Sequence, residues 1–576
     1  METCSMKRLS RVIPLLASDV LRIFFLVAAL IALSRHVFSQ VENVPIRNPV
    51  YDFLLRMEAK GLIARYHNGA LPLSRMEVAS LLKEVGSNDS MLSNVERGYL
   101  RRLQSEFSFE LGLPAGYRTS LLGQNAVSAV SWAEQQKFLY QWIDTSSFPP
   151  STLFVDGILN EDARSQTFAS GRSRGVSLTS FGGRFRGSLR GILGYFLQGT
   201  NGQLLGNKEY GLTDPFLQQN YKIHETGSVS FDEVRAYLRL HTPILGAELG
   251  RERLWWGNGI GERLILSRFS PVFDFIRLDA TYGVFKYSFI HGWLLGSKKI
   301  IYDAVEGLRT IISSKYIAAH RGEVSLKGIA DAGVTEMIIY ANRNPDLAYL
   351  NPINFYKSAE HALQDRDNAI LAFDARIRCF PRFMPYGTFL IDDISFGKLG
   401  TAFYGNELAG QIGFFAVDPL DIPNTQVVLE YTRIDPYVYS HRLNETNYTS
   451  NGFLLGDPIG PNSESYYLSF QWQPRVDLFV TLSGNFLRHG ANVVDSTGAV
   501  IRNVGGDPLV GHRTWDSEDA PFLDGVLQKD WRIRFSIRYE PIWEMPVTFQ
   551  YEYHAHDEPG YHIVDHQVFV QLTIDY

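Results

Sequence analysis

The feature that most constrains the fold is an alternation of apolar and polar residues with a period of two, which runs from about residue 120 to the C-terminus. In residues 532–539, Ile533, Phe535 and Ile537 lie on one face, with arginines and a serine on the other. Residues 233–240 and 547–553 repeat the pattern. This part of the chain is therefore predicted to form β-sheet, either as a soluble sandwich or as a closed barrel in a membrane.

Two further features favour the barrel. The polar faces carry charged residues on strand after strand, as the hydrated interior of a barrel would require. The chain also ends on an alternating apolar series made of Val568, Val570, Leu572, Ile574 and Tyr576. Outer-membrane barrels characteristically end on such a strand with a C-terminal aromatic residue. We therefore predict an outer-membrane barrel that engages the barrel-assembly machinery through the strand ending at Tyr576.

The first 39 residues have the pattern of a secretory signal peptide. Basic residues precede an uninterrupted apolar run of eleven, residues 23–33, and Val37 and Ser39 supply small residues for cleavage near Ser39. A run of eleven is too short to span a bilayer as a helix, which needs about 20 residues. An uncleaved anchor is the alternative. Past residue 39 no stretch is long and apolar enough for a membrane helix, so membrane insertion would require a closed barrel.

Charge and cysteine content narrow the possible partners. The predicted signal peptide holds five basic and two acidic residues, so its removal changes the net charge from −6 to −9. An acidic chain argues against nucleic acid as a partner. Only Cys379 remains after cleavage, and its place in the alternation predicts a position on the lipid face. We expect no disulfide, no metal site and no cofactor.

Residues 44–110 carry the signals of a small helical bundle. Asn48 and Pro49 can begin one helix, and capping boxes at Ser74–Glu77 and at residues 93–96 can begin two more. We predict a periplasmic bundle that either closes the mouth of the barrel or docks with peptidoglycan or an export partner. The predicted fold class is mainly β, a transmembrane antiparallel barrel over residues 120–576 with this N-terminal α-helical bundle. At about 10 residues a strand, with an even count, we expect about 18 strands.

Three stretches do not resemble ordinary barrel sequence. Residues 250–268 read GRERLWWGNGIGERLILSR, residues 349–361 read YLNPINFYKSAEH, and residues 431–441 read YTRIDPYVYSH. At these motifs the sequence resembles the Wzi capsule-assembly family of outer-membrane proteins, and the resemblance extends over most of the mature chain. It implies an 18-stranded barrel with a small periplasmic helical bundle. It also implies a surface lectin that helps to hold capsular polysaccharide on the cell.

The residue chemistry of the motifs suits a carbohydrate site, because sugars present apolar C–H faces beside many hydroxyls. The candidate ligand-binding residues are Arg251, Arg253, Trp255, Trp256, Arg263, Asn351, Tyr356 and Glu360. Tryptophans can stack on a sugar ring and arginines can bind acidic sugars in a bidentate manner. The alternative is that the tryptophans anchor the barrel at the lipid interface and that the charges pair with one another.

We therefore expect a monomeric, lectin-like protein of the outer membrane that binds or organises capsular or extracellular polysaccharide and contacts outer-membrane lipid. The alternative function is a channel for polar solutes or oligosaccharides, suggested by the charged strand faces. A third possibility is a hydrolase, but the sequence holds no H-E-x-x-H, G-x-S-x-G or Walker-type motif. His554 and His556 share one strand face, where a hydrated surface explains them better than a metal. No enzymatic activity and no catalytic residue are predicted.

Overall fold

The computed structural model describes residues 40–123, 125–224, 227–242 and 244–576. The predicted signal peptide and Cys4 lie outside the described residues. Within these ranges, no helix has both the length and the apolar character needed to cross a bilayer.

Three helices follow the N-terminal residues of the described chain: α1 (Val50–Ala59), α2 (Arg75–Gly86) and α3 (Asn94–Glu106). Ser74 caps α2 and Ser93 caps α3, each in a complete capping box as predicted. The apolar faces of the three helices meet in one core, which also takes in Trp543 from the barrel. The helices are therefore packed against the barrel and do not form a separate body.

Eighteen antiparallel strands close into a barrel, which confirms the predicted fold class and strand number. In chain order the strands are β1 (Ser151–Phe168), β2 (Ser173–Leu189), β3 (Leu193–Gly206), β4 (Val229–His241), β5 (Leu245–Glu252), β6 (Phe273–Tyr282), β7 (Phe285–Asp303), β8 (Gly307–Leu326), β9 (Ala330–Ala341), β10 (Asn368–Ile377), β11 (Phe383–Asp393), β12 (Glu407–Val417), β13 (Thr425–Ile434), β14 (Ser463–Arg475), β15 (Leu478–Ala491), β16 (Val526–Tyr539), β17 (Val547–Glu558) and β18 (Tyr561–Asp575). Strand β18 pairs with β1 and closes the wall.

Shorter elements lie before and between these strands. Two strands, Arg118–Leu122 and Gln136–Asp144, pair in parallel before the wall begins, and the second extends the sheet beside the start of β1. Helices α4 (Lys208–Gly211) and α5 (Pro215–Asn220) lie between β3 and β4. Helices α6 (Leu347–Leu350) and α7 (Tyr356–Ala362) lie between β9 and β10. Cys379 lies just after the end of β10, in the connection to β11, where it is exposed.

The two ends of the barrel differ in their connections. At one end the strands are joined by short turns such as residues 190–192 and 476–477, and Tyr576 ends the chain there. At the other end the connections are longer, notably residues 253–272, 342–367, 435–462 and 492–525. Outer-membrane barrels keep short turns on the periplasmic side and long loops outside. We call these the short-turn end and the long-loop end.

The outer wall shows the lipid-facing pattern of a membrane barrel. Tyr431, Tyr466, Phe486 and Trp531 stand side by side on the outward faces of β13 to β16, with adjacent rings 4.0–6.2 Å apart. The next outward residues toward the long-loop end, two residues along β14, β15 and β16, are Glu464, Arg488 and Lys529. An aromatic band bordered by charge marks the boundary between hydrocarbon and headgroups.

The helical segment covers the short-turn end of the barrel. Gly98 of α3 lies so close to Val476 that an added Cβ would be 2.5 Å from its methyl group. Contacts run around the mouth, and they include Glu42 with Arg186, Asn43 with Tyr237, His67 with Lys286, Arg56 with Asp418, and Arg102 with the carbonyl of Glu540. The segment therefore caps the mouth over most of its circumference.

The interior of the barrel has two different halves. Beside β6 to β13 it is a packed apolar core, in which Ile290, Ile317 and Met337 of the wall meet residues of two infolded loops. Beside β16 to β18 the inward residues are polar and partly exposed, among them Arg532, Arg534 and His554. We call the second region the polar half-lumen.

Candidate functional site

Residues 253–272, here called the lumen loop, fold into the barrel and do not extend into solvent. Trp255 and Trp256 form a short strand that pairs with Ala70 and Leu71 of the N-terminal segment, and both tryptophans are buried. Arg263 lies 3.8 Å from the centre of the Trp255 ring and donates to the Trp255 carbonyl at 2.7 Å. The loop is therefore a structural element of the filled half of the lumen.

The glycines of the WWGNGIGE motif let this loop close around a carboxylate. Glu430 of β13 accepts hydrogen bonds from the backbone N–H groups of residues 260, 261 and 262 at 3.1–3.4 Å. A Cβ at Gly261 would lie 2.5 Å from a Glu430 oxygen, so no larger residue fits there without displacement. Tyr386 also donates to Glu430 at 2.6 Å. These contacts with Glu430 explain the spacing of the glycines in the motif.

The YTR motif meets the WWG motif inside the barrel. Tyr439 donates to the carbonyl of Leu264, and Tyr448 donates to that of Ile265, each at 2.7 Å. The two tyrosine rings are also stacked on each other with centres 5.4 Å apart. Two of the three unusual sequence stretches thus pack together as one apolar core of the lumen.

Asp457, in the same interior, has a perturbed acidity. Burial raises its pKa to about 8, and the nearby Glu262 carboxylate acts in the same direction. The folded protein therefore binds this proton more tightly than the unfolded chain, whose value is near 3.8. The free energy of unfolding should consequently fall as the pH rises from about 4 to about 8.

We expect the Asp457→Asn variant to lose less stability over this range, because an amide does not have to be ionised in an apolar site. Unfolding midpoints at pH 5 and pH 8.5 measure the effect. Asp495→Asn is the matched control, since hydrogen bonds from Thr497 hold the pKa of this exposed loop carboxyl below its usual value, outside the window. Equal pH slopes for wild type and Asp457→Asn would contradict the assignment.

The eight predicted ligand-binding residues lie in three separate places. Arg253, Trp255, Trp256 and Arg263 are buried in the lumen, where burial lowers the pKa of Arg263 to about 9. Arg251 lies on the wall and pairs with Asp274 at 3.3 Å. Asn351, Tyr356 and Glu360 lie on residues 342–367, which we call the outer-wall loop. Tyr356 and Glu360 are buried and Asn351 is exposed, and a carbohydrate-binding role for any of the eight stays a prediction.

A different group at the long-loop end has the features of a binding surface. Residues 394–406 and 492–525 are joined by backbone hydrogen bonds from Tyr404 to Glu518 and from Ala520 to Ala402. We call these two loops the Trp515 surface, because the Trp515 side chain on the second loop is 75% exposed. Phe396, on the facing loop, is also exposed. Two large aromatic side chains are thus exposed on connections at the long-loop end.

Charged groups next to Trp515 are paired with one another. Arg513 pairs with Asp516 at 2.8 Å and lies 5.3 Å from the centre of the Trp515 ring. Asn503 donates to the second oxygen of Asp516 at 2.8 Å. Partial burial acts to raise the pKa of Asp516, but the hydrogen bonds from Arg513 and Asn503 hold it below its usual value. The carboxylate is therefore ionised at neutral pH.

The base of this surface is formed by packed aromatic rings. Tyr404 stacks on His512 with ring centres 3.5 Å apart, and Tyr437 of the YTR motif packs against both rings. Lys398 lies 3.6 Å from the centre of the Phe403 ring and pairs with Glu518 at 3.2 Å. An exposed indole with an arginine, a carboxylate and an amide around it can stack on a sugar ring and hydrogen-bond its hydroxyls.

Sequence reasoning missed Trp515 and its neighbours. The segment HRTWDSED, residues 512–519, places a tryptophan among charged residues in a connection without strand periodicity, and this signal was available. The carbohydrate-binding prediction was assigned instead to the more conspicuous WWG motif. A pair of tryptophans among arginines has the same appearance in sequence whether it fills a lumen or faces solvent.

Comparisons with known proteins agree with the fold. The model of the capsule assembly protein Wzi family matches residues 160–558. A search of the curated proteins found no match. The solved structure of Wzi from Escherichia coli, described as an outer membrane protein involved in group 1 capsule assembly and a carbohydrate-binding β-barrel, is 14% identical, with a TM-score of 0.56. That alignment covers 93% of this chain and 99% of the other.

Two Pseudomonas aeruginosa barrels are similar at a lower level. OccK1 is 9% identical over 74% of this chain and 99% of its own, with a TM-score of 0.40. OprD is 10% identical over 73% of this chain and 95% of its own, with a TM-score of 0.38. The family match spans well over half of the chain, from β1 to the end of β17. The chain therefore belongs to the capsule assembly protein Wzi family.

Proposed function

We propose that this protein binds capsular or related extracellular polysaccharide at the cell surface and organises it there, without catalysing a reaction. The observation that carries the proposal is the Trp515 surface, an exposed indole flanked by Arg513 and Asp516 at the long-loop end. Family membership and the carbohydrate binding described for the Escherichia coli structure support it.

The covered mouth argues against the alternative, a channel for polar solutes. The helical segment closes the short-turn end, and two infolded loops fill the part of the interior beside β6 to β13. A surface lectin requires no open path through the barrel, whereas a channel does.

A cell-based experiment tests the proposed function. A strain that lacks the gene should still synthesise the polymer but release it into the medium. Expression of the wild-type protein should restore a cell-attached capsule, measured as the ratio of bound to released polysaccharide. A normal attached capsule in the strain without the gene would overturn the proposal.

The Trp515→Ala variant should bind the isolated polysaccharide more weakly while the barrel remains folded. Truncation of a central aromatic anchor typically costs about 2 kcal/mol, or roughly thirtyfold in Kd. Trp132→Ala is the matched control, since Trp132 is also exposed but its neighbour Ala133 bonds to Trp543 at the short-turn end. Binding to immobilised polymer is the measurement, and equal affinities for the two variants would place the glycan elsewhere.

We further propose cleavage of a signal peptide near Ser39, recognition of the strand that ends at Tyr576 by the barrel-assembly machinery, and a monomeric state. The alternating apolar residues of β18 support recognition of this strand by the assembly machinery. The strand also closes the wall, where the backbone of Tyr576 exchanges hydrogen bonds with that of Gly157. Mass spectrometry of the purified protein, which gives the N-terminal residue and the oligomeric mass, tests the first and third points.

A further inference from the structure

The outer-wall loop turns away from the lumen when it leaves the end of β9. Ile290, Ile317 and Met337 point into the lumen core, so the residues next to them in each strand point outward. These outward residues form a second apolar cluster with the loop, which consists of Phe289, Tyr316, Ala318, Ile338, Tyr340 and Ala369 of the wall and Tyr349 and Tyr356 of the loop. The loop therefore packs against the outside of the barrel.

The loop also descends along the wall toward the short-turn end. Tyr287 donates a hydrogen bond to the carbonyl of Pro352. Tyr287 is the third residue of β7, which starts at the short-turn end, whereas the loop leaves the wall at the opposite end. On the neighbouring strands, Tyr287 pairs with Gly322, Gly322 pairs with Val334, and Val334 pairs with Phe373. Val334 and Phe373 point outward, and both are exposed and apolar. Pro352 thus lies next to wall positions that face lipid.

The carboxylates of Glu336 and Asp367 beneath the loop are both paired, which lowers the cost of placing them next to hydrocarbon. Glu336 of β9 accepts from the backbone N–H groups of Tyr356 and Lys357 at 3.0 and 2.8 Å. His320 lies 3.1 Å from the same carboxylate. Where the loop returns to the wall, Arg343 pairs with Asp367 at 2.6 Å.

The lowest part of the loop exposes large apolar side chains on the face that points away from the barrel. Ile353 is 86% exposed and Phe355 is 70% exposed, and Leu347 of α6 is exposed as well. The neighbouring Asn351 is exposed and polar, and it accepts a hydrogen bond from the Ile353 N–H at 3.2 Å. The exposed residues of the returning part, among them His361 and Asp365, are polar, and Arg442 of a long loop donates to the Asp365 carbonyl. The loop thus exposes large apolar side chains where it lies lowest and polar ones where it rejoins the long-loop end.

We propose that the outer-wall loop is embedded in the membrane leaflet on the long-loop side, with lipid acyl chains covering Leu347, Ile353 and Phe355. Continuity with the lipid-facing wall carries this assignment, because the loop lies on the same outward surface and extends its apolar area. Glu336 accepts from two backbone N–H groups of the loop, which lowers the cost of placing this part of the backbone in hydrocarbon. The loop then anchors β7 to β10 in the leaflet, independently of any glycan.

Lipid-borne quenchers test the proposal on the full mature chain. Cys379→Ala removes the remaining cysteine, and Ile353→Cys introduces a site for an environment-sensitive NBD label. Phe389→Cys, on the outward face of β11, supplies the lipid-exposed reference, and Val305→Cys, at the tip of the β7–β8 hairpin, supplies the water-exposed one. The barrels are refolded into phosphatidylcholine vesicles with and without doxyl groups on the acyl chains.

We expect the label at position 353 to show the blue-shifted emission and the doxyl quenching of the label at 389, while the label at 305 shows neither. Emission and quenching at 353 that match position 305 would overturn the proposal. A blue shift at 353 without doxyl quenching, growing with the protein-to-lipid ratio, would assign the face to a second copy of the chain and would also overturn it. Leu347→Cys repeats the measurement, so that one poorly folding variant does not decide the outcome.

Discussion

Deletion of residues 40–110 is expected to convert a closed barrel into one that conducts ions steadily. Polar, partly exposed residues line the polar half-lumen, and the helical segment covers it at the short-turn end through contacts such as Arg102 with the carbonyl of Glu540 and Gly98 with Val476. Without the segment, a hydrated path lined by groups such as Arg532 and Arg534 would connect the two sides. Single-channel recording in planar bilayers is the measurement.

Replacement of the lumen loop provides the matched control for this deletion. Glu252 and Phe273 are paired neighbours, so a short Gly/Ser turn can join β5 to β6 in place of residues 253–272. This variant keeps the helical cap, and we expect it to show no steady conductance. A deletion variant that inserts normally but stays silent would show that the remaining loops close the polar half-lumen. A steady large pore in the intact protein would favour the channel function.

Substitution of Arg321 by leucine is expected to produce the largest loss of stability from a single side chain. Arg321 is only 1% exposed and donates to Glu323 at 2.7 Å and to both oxygens of Asp374 at 2.5 and 2.8 Å. Removal of one partner of a buried ion pair leaves an uncompensated charge and typically costs about 3–5 kcal/mol. Asp374 also accepts from Asn258 at 2.5 Å, so the lumen loop should loosen as well.

Arg309→Leu is the control for this substitution, because Arg309 and Glu306 form a solvent-exposed pair at the tip of the β7–β8 hairpin. Exposed pairs contribute about 0–1 kcal/mol. Urea unfolding in vesicles, followed by tryptophan fluorescence, gives both values. The double variant Arg321→Leu with Asp374→Asn should recover part of the loss, since the second change removes the unpaired charge. Equal midpoints for Arg321→Leu and Arg309→Leu would contradict the assignment.

The alternation of apolar and polar residues with a period of two was sufficient to predict the strands of the barrel wall. Each barrel strand places alternate residues on opposite faces, so local sequence already separates inward arginines such as Arg534 from outward residues such as Phe535. The capping boxes at Ser74 and Ser93 are local in the same sense, because they join residues three apart. The family resemblance at three motifs, which the match over residues 160–558 confirms, agreed with the strand number expected from chain length and added the expected function at the cell surface.

The positions of the motifs could not be predicted in this way. Trp256 and Tyr356 were both proposed to contact glycan, but one is packed against Ala70 in the lumen and the other beside His320 on the outer wall. Aromatic residues among charges suit a filled lumen, a lipid interface and a sugar site equally well in sequence terms. Contacts between residues far apart in the chain, such as Trp256 with Ala70, select among these environments.

The sequence by itself determined the class of structure, a strand-rich barrel with an N-terminal helical segment, because strand alternation and helix capping depend on neighbours within a few residues. Only the tertiary structure decided where each long connection goes. The lumen loop folds inward around Glu430, the outer-wall loop folds outward over β7 to β10, and the loops around Trp515 remain at the surface. These destinations depend on which apolar face each loop can bury and on which buried charges it can pair, and both are set by strands distant in the chain.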